Sequence, residues 1–475
     1  MPSSLAPAPP SPSPSTGLGA EAERRLAELE QRQESVVNSV IEARSKTIDW
    51  WLAYLAVFTA VIGLVGLLIP FIIGRKERER LQVDLDEVRR MKGEIDSHLQ
   101  GSRKNLDESN ALLAAQRPES KDSTSSPKSA AAVDKAVAEV KAAEAASPTD
   151  RLRAEALASK AEPEKAYALW HALLSLSPGD AQAAFYCGYW AQSISEQDGR
   201  ADASWWRQRG IAHYQRAVEL DGRSHWALNN WGNALTAEAR ALAQAGDLPT
   251  ARSLWQQAGQ RYADALRIKP DKHEAAYNWG SALDDEALAL AQVKDLPTAR
   301  SLWQQAGQRY ADALRIKPDK HEAAYNWGNA LAAEALALAQ VKDLPTARSL
   351  WQQAGQRYAD ALRIKPDMHE VASNWASTLL HEAEAIGDSA EARGLCERAR
   401  DLMLPFAERK PSVAAYNLAC AYARLQDFEA SLTWLRRSRD AGGLPDREHL
   451  ETDPDLAELR LTPGFKAFLG ETFGG

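Results

Sequence analysis

The sequence predicts an all-α chain: a superhelical solenoid of antiparallel helix pairs, preceded by a transmembrane helix and a coiled-coil segment. Three observations predict it. PTARSLWQQAGQRYADALRIKPDKHEAAYNWG runs from Pro249 to Gly280 and returns letter for letter from Pro297 to Gly328; its first 23 residues return again from Pro345 to Asp367. Within each copy the apolar residues recur at helical spacing. Far upstream, Trp50 to Gly74 contains no charged residue. A verbatim period of 48 residues is the mark of stacked repeats, because each unit buries its face only against the next. An inserted copy therefore needs no redesigned core.

With 475 residues, 45% of them apolar, the chain has material for two to four domains. Its net charge of −8 argues against a general nucleic-acid binder, which needs a basic face to displace counterions. Cys187, Cys396 and Cys420 lie far apart without a C-x-x-C pair. That spacing predicts neither a disulfide framework nor a zinc site, and it suits a reducing compartment.

Residues 1–19 are a Pro/Ser-rich tail without periodicity, expected to be disordered. In 20–49, Leu26, Leu29, Gln33, Val36, Val40 and Ala43 alternate steps of three and four, as in an amphipathic helix or a short coiled coil. The 50–74 run would rise about 37 Å as a helix, more than the roughly 30 Å hydrocarbon slab. Trp50, Trp51 and Tyr54 form an aromatic belt, and the run ends in IIGRKERER without a cleavage site, so it reads as a permanent single-pass anchor. Arg75, Lys76, Arg78 and Arg80 follow it closely. The positive-inside bias then places the repeats in the cytoplasm, with the short N-terminus outside the plasma membrane. From Leu81 through Leu85, Val88, Lys92, Ile95, Leu99, Ser102, Leu106 and Ser109 to Leu113 the seam steps 4-3-4-3. This predicts a coiled coil over 75–115 and a parallel homo-oligomer. Residues 116–146, Pro and Ser followed by Ala, Lys and Glu, read as a flexible, partly helical linker.

The repeat region occupies 147–442, with 48-residue units at 223–270, 271–318 and 319–366 and a cap over 443–475. In the central unit, Leu296-Pro297-Thr298 is a helix start and Lys317-Pro318-Asp319 a stop. Trp279, Leu283, Leu288 and Leu290 mark the buried stripe of the first helix; Leu302, Trp303, Tyr310, Leu314 and Ile316 mark the second. Trp231, Trp279, Trp327 and Trp375, each beside a small residue, are expected as core knobs against the neighbouring unit. In the cap, Leu456, Leu459, Phe465 and Phe468 are placed to close the open end.

Units of ordinary length flank the long ones. Ala166, Trp170 and Pro178 in AYALWHALLSLSP, and Leu418, Tyr422 and Phe428 in AAYNLACAYARLQDFEASLTWL, fall at the spacing of a 34-residue helical hairpin. On these residues the region resembles the tetratricopeptide (TPR) repeat family. Relative to that family, seven residues are added between Gly280 and Ala299 and seven more between Ala299 and Pro318. Seven residues turn a helix through about 700°, only some 20° short of two full turns, so each helix lengthens by about 10 Å with its buried stripe in register.

No phosphate loop, dinucleotide fingerprint or nucleophile elbow appears in the sequence. Asp284, Asp285 and Glu286 read as a solvated helix face. No catalysis, cofactor or metal is predicted. The TPR resemblance implies a protein- or peptide-binding groove flanking the mid-helix glycine, here Asn230, Asn233, Asn278, Ser281, Asn326, Asn329 and Asn374. Lysine or arginine that would hold a C-terminal carboxylate is replaced by Trp226, Glu274, Glu322 and Glu370. The expected function is a membrane-anchored scaffold for protein–protein interaction; the other reading is a rigid spacer without a groove ligand.

The coiled-coil seam can be tested apart from the repeats. A fragment spanning 75–475 should sediment as a dimer or trimer and one spanning 147–475 as a monomer. Two monomers would reduce the seam to an amphipathic helix.

Overall fold

The computed structural model describes residues 127–143, 146–387 and 389–474, together with Gln82, Asp86, Arg89, Arg90, Gly93, Lys104 and residues 107–112. The tail at 1–19, the helix expected at 20–49, the anchor at 50–74 and most of the coiled coil at 75–115 lie outside the described residues. Among the described residues every regular element is helical, and no helix is long and apolar enough to cross a membrane.

The chain divides into two compact bodies, one ending at Ala234 and the other beginning at Leu235. The first holds α1 (Pro127–Ala142), α2 (Pro148–Ala158), α3 (Pro163–Leu176), α4 (Ala181–Ser195), α5 (Ala203–Leu220) and the start of α6 (His225–Gln244). Helices α1 to α5 pack each against the next. Trp170 of α3 stacks on Tyr186 of α4, with ring centroids 4.3 Å apart, and Tyr214 of α5 is wholly buried. A Cβ on Gly188 would stand 2.7 Å from the Tyr214 ring, so this glycine is the notch into which the ring fits.

The second body continues with α7 (Leu248–Ile268), α8 (His273–Gln292), α9 (Leu296–Ile316), α10 (His321–Gln340), α11 (Leu344–Ile364), α12 (His369–Ile386), α13 (Ala390–Arg409), α14 (Pro411–Arg424) and α15 (Phe428–Asp440). It ends in α16 (Arg447–Thr452), two 3-10 turns (Pro454–Leu456 and Leu459–Leu461) and α17 (Pro463–Phe473). Consecutive helices from α7 to α15 pack together, and α8, α10, α12 and α14 also touch one another in turn. The first helices of successive units thus form one continuous face within this body. Leu456, Leu459, Phe465 and Phe468 are buried in the core that α12 to α15 share with the C-terminal segment.

The hairpin turn follows from two overlapping caps. Asp295 N–H bonds to Leu290 C=O and Lys294 N–H to Ala291 C=O, both at 2.9 Å, a Schellman ending with Lys294 at φ 66°. The Asp295 carboxylate then accepts the Thr298 N–H and opens α9, with Pro297 in the first turn, where a missing N–H costs no helical bond. One aspartate so ends one helix and starts the next. The same arrangement recurs 48 residues to either side, at Gly246-Asp247 and Lys342-Asp343.

The buried stripe of α9 is Ala299, Trp303, Ala306, Tyr310 and Ala313, each at 3% exposure or less. Alanine dominates because the helices approach closely; a Cβ on Gly280 would lie 2.9 Å from the Tyr310 ring, and one on Gly328 would lie 2.7 Å from Tyr358. Burying Trp303 and Tyr310, at about 150–250 Å² each, contributes roughly 4–6 kcal/mol apiece before conformational entropy.

Two sequence expectations are corrected. Leu288, placed in the stripe, is 40% exposed. Trp279, Trp327 and Trp375 do pack on the preceding unit, where Gly259, Gly307 and Gly355 make room for their indole nitrogens, but they are only half-buried. The Arg309 guanidinium lies 4.0 Å from the Trp279 ring centroid, and Arg357 lies 4.2 Å from Trp327. These rings are partly roofed by arginine instead of being sealed in a core. The buried aromatics of each unit are the tryptophan and the tyrosine of the second helix, at 255 and 262, 303 and 310, and 351 and 358.

The notch and the turn predict opposite outcomes in urea melts. Gly328→Ala drives a methyl into Tyr358 and should cost about 1–3 kcal/mol. Lys294→Gly relieves a left-handed backbone already held by glycine at Gly246 and should gain up to about 1 kcal/mol. A neutral Gly328→Ala would show that the close approach is not required.

Candidate functional site

Of the seven residues that the sequence assigns to a groove, Asn278, Ser281, Asn326, Asn329 and Asn374 lie on α8, α10 and α12, while Asn230 and Asn233 lie on α6. All seven are partly buried, Asn230 and Asn233 in the first body and the other five in the second. Asn230 Nδ2 donates to the Trp226 carbonyl within its own helix at 2.9 Å. Asn233 and Asn278 are partnered as well, and Ser281 lies beside the Tyr310 hydroxyl.

The remaining three residues join helix to helix. Asn326 of α10 donates to the Tyr277 hydroxyl of α8 at 2.8 Å, and one unit later Asn374 of α12 donates to the Tyr325 hydroxyl of α10 at 2.8 Å. Asn329 Oδ1 accepts from both Asn374 Nδ2, at 3.0 Å, and the Tyr358 hydroxyl, at 2.9 Å. Asn417 of α14 continues the series to Ser373 Oγ at 2.5 Å. The structure thus brings Asn326, Asn329 and Asn374 together in an amide–tyrosine ladder that runs across the unit junctions. Sequence alone gave no sign of it, because every bond except Asn329–Tyr358 joins residues of different units.

At the start of each first helix, Glu274 and Glu322 are drawn to Lys272, at 3.7 Å, and Lys320, at 3.3 Å. Both lysines are 2% exposed. Burial pushes Lys272 down to about 8 against the opposing pull of Glu274. The ammonium of Lys320 stands 5.0 Å from the Tyr277 ring centroid.

A second set of contacts repeats along the bundle. Arg252 of α7 meets Glu286 of α8 at 3.3 Å, Arg300 of α9 meets Glu334 of α10 at 3.2 Å, and Arg348 of α11 meets Glu382 of α12 at 3.7 Å. Each pair bridges adjacent units. Burial raises all three glutamate pKa values, with the arginines opposing it.

The acidic run at 284–286 is therefore not a solvated face, which corrects the sequence reading. Asp284 accepts the Trp303 indole N–H at 2.9 Å, Asp285 pairs with Arg240 at 2.5 Å, and Glu286 is buried against Arg252. The two extra turns of α8 lie along equally long neighbours, so positions that a shorter helix would leave in water are enclosed. Burial, with Asp285 adding like charge, pushes Asp284 up to about 7.

Between α9, α10 and α11 lies an open cleft of about 450 Å³, lined in part by Gln304, Gln308, Trp327, Leu331 and Gln353. Its signal in the sequence was the exposed glutamine pair in each WQQAGQ copy, which the groove assignment left aside.

No family model matches this chain, and no curated protein is similar to it at a significant level. Among solved structures, the C-terminal part of a TPR repeat-containing protein from Cytophaga hutchinsonii is similar over 62% of this chain and 97% of its own, at 10% identity and a TM-score of 0.40. A tetratricopeptide repeat protein from Parabacteroides merdae is similar over 66% and 99%, at 13% identity and 0.38. YrrB, described as a TPR protein with an unusual peptide-binding site, is similar over 51% and 97%, at 17% identity and 0.29. Likeness at these scores carries no argument about this chain, and the helix-pair architecture rests on its own geometry.

Asp284 predicts a pH dependence of stability. Its folded value, near 7, lies above the roughly 3.9 of an unfolded aspartate. The native chain therefore holds a proton that the unfolded chain releases, and stability falls as pH rises from about 4 through 7. Asp284→Asn keeps an acceptor for Trp303 and removes the charge. It should flatten that decline and add about 1–2 kcal/mol at pH 8, the scale of an uncompensated buried polar group. An unchanged pH profile would place the titration elsewhere.

Proposed function

We propose that this chain is a membrane-anchored TPR-type scaffold that holds a protein or peptide partner on the face of its first helices and performs no catalysis. The observation that carries the reading is repetition. The same helix pair, with a partly buried asparagine at 278, 326 and 374, is presented at successive junctions, and this suits a ligand with a repeating backbone better than a single reacting atom. Of the four hydrogen-bonding valences in an Asn amide, the ladder uses one at Asn326. The rest suit a peptide main chain.

On this reading, residues 50–74 hold the chain in the lipid of the plasma (bacterial inner) membrane, with the short N-terminus outside and the repeats in the cytoplasm. Residues 75–115 assemble it as a homo-oligomer. One observation favours the second reading, a rigid spacer: Asn329 and Asn374 each make two bonds inside the ladder, so their amides already serve helix-to-helix bonding.

Two measurements test the reading. Alkaline carbonate should leave the chain in the membrane pellet, and release into the supernatant would remove the anchor. Affinity capture from native membranes should recover a partner whose yield falls at least tenfold with Asn326→Ala, while the melt shifts by no more than about 1–2 kcal/mol, the cost of one lost hydrogen bond. A variant with the same melt and undiminished capture would leave the spacer.

A further inference from the structure

Where the C-terminal segment folds back on α14, three residues of metal-ligand type converge from separate elements. Cys420 Sγ and a carboxylate oxygen from each of Asp453 and Asp455 all lie within 4.8 Å of one another. Cys420 sits inside α14, Asp453 in the link after α16, and Asp455 in the 3-10 turn that packs on α14. His449 of α16 stands outside this trio, its side chain 56% exposed, with Nε2 3.6 Å from Asp453 Oδ2. We propose that Cys420, Asp453 and Asp455, with His449 at the solvent edge, bind one divalent transition-metal ion of the zinc class and so tie the C-terminal segment to α14.

Charge is the first support. The Asp453 and Asp455 side chains are 11% and 14% exposed, and the cation beside them is Arg424, 3.8 Å from Asp455. Arg460 points its guanidinium at the Asp453 backbone carbonyl instead of at the carboxylate. A divalent ion supplies the positive charge that this acidic pair lacks.

The thiol is the second support. Cys420 is 3% exposed and aims its sulfur at the carboxylates, yet its contact with Asp453 Oδ2 is a long 3.8 Å from a weak donor. A buried cysteine among apolar neighbours would need no such company.

The donor set selects the ion. One sulfur, two carboxylate oxygens and an imidazole nitrogen match the tetrahedral preference of zinc, with bonds of about 2.3 Å to sulfur and 2.0–2.2 Å to oxygen and nitrogen. Those bonds separate neighbouring ligand atoms by roughly 3.3–3.7 Å, so the trio need close by only about 1 Å. Calcium and magnesium take all-oxygen shells, which the thiol disfavours.

An outer shell is in place too. The Tyr416 hydroxyl donates to Asp453 Oδ2 at 2.5 Å, and the Asp455 N–H donates to Asp453 Oδ1 at 2.8 Å, which fixes that carboxylate. On binding, the Cys420 thiol proton passes to solvent, leaving a thiolate–metal bond without redox change. This inference is independent of the membrane and partner readings.

The test uses the purified full-length chain, stripped with chelator and titrated with Co²⁺. One equivalent should bring up a thiolate-to-cobalt charge-transfer band that Zn²⁺ bleaches. The band should vanish in Cys420→Ser, persist in Cys396→Ser, and require at least tenfold more metal in Asp455→Asn. Should those variants fail to fold, the wild-type chain decides: Zn²⁺ must slow alkylation of Cys420 at least tenfold, and leave Cys187 and Cys396 unchanged, in the mapped peptides. Absence of a thiolate band, its survival in Cys420→Ser, or equal alkylation with and without Zn²⁺ would each overturn the proposal.

Discussion

Much of the second body depends on one steric fit, the edge of a buried tyrosine ring set into the notch left by a mid-helix glycine. Tyr310 closes on Gly280 and Tyr358 on Gly328, and Tyr214 on Gly188 repeats the device in the first body. Glycine weakens a helix by roughly 0.5–1 kcal/mol relative to alanine, a cost set against several kcal/mol from a sealed aromatic ring. Once the ring is seated, helix separation is fixed, and the flanking stripe has to be alanine. The cross-helix hydrogen bonds then fall within reach of short amides.

The same fit explains how a helix pair can grow without losing its packing. Two added turns return each stripe almost to its starting azimuth, and both helices of a pair must take them together. Longer helices enclose more side chains, including polar ones, and each enclosed polar group requires a partner. The Arg252–Glu286, Arg300–Glu334 and Arg348–Glu382 pairs answer that requirement at three successive junctions.

Local patterning was legible in the sequence, and what lies between units was not. The period and the punctuation at Leu296-Pro297 and Lys317-Pro318 anticipate α9 at Leu296–Ile316. The left-handed turn is legible at Gly246 but hidden at Lys294 and Lys342, where a lysine takes the same helix-ending hydrogen bonds. Leu288 was misplaced because a 3.6-residue period specifies a face without specifying how wide a stripe the neighbours cover. Asp284 was misread for a related reason: composition gives its charge, while its indole partner lies 19 residues away in the next helix. The amide ladder joins residues 49 apart, so no window of local sequence contains both ends of a bond. The Cys420–Asp453 contact spans 33 residues and is hidden in the same way.

Two verbatim copies raise a problem of address. Surfaces that cannot be told apart allow a folding chain to seat a helix on the wrong copy, or on the matching copy of another chain. The Arg240–Asp285 pair separates the junctions. One unit onward its two positions are Leu288 and Ala333, and a further unit onward they are Leu336 and His381. A skipped repeat would therefore leave the exposed Arg240 facing alanine and the largely enclosed Asp285 without its cation. An unrepeated ion pair helps make a nearly interchangeable array readable in one order, much as an odd tooth on a key favours a single alignment.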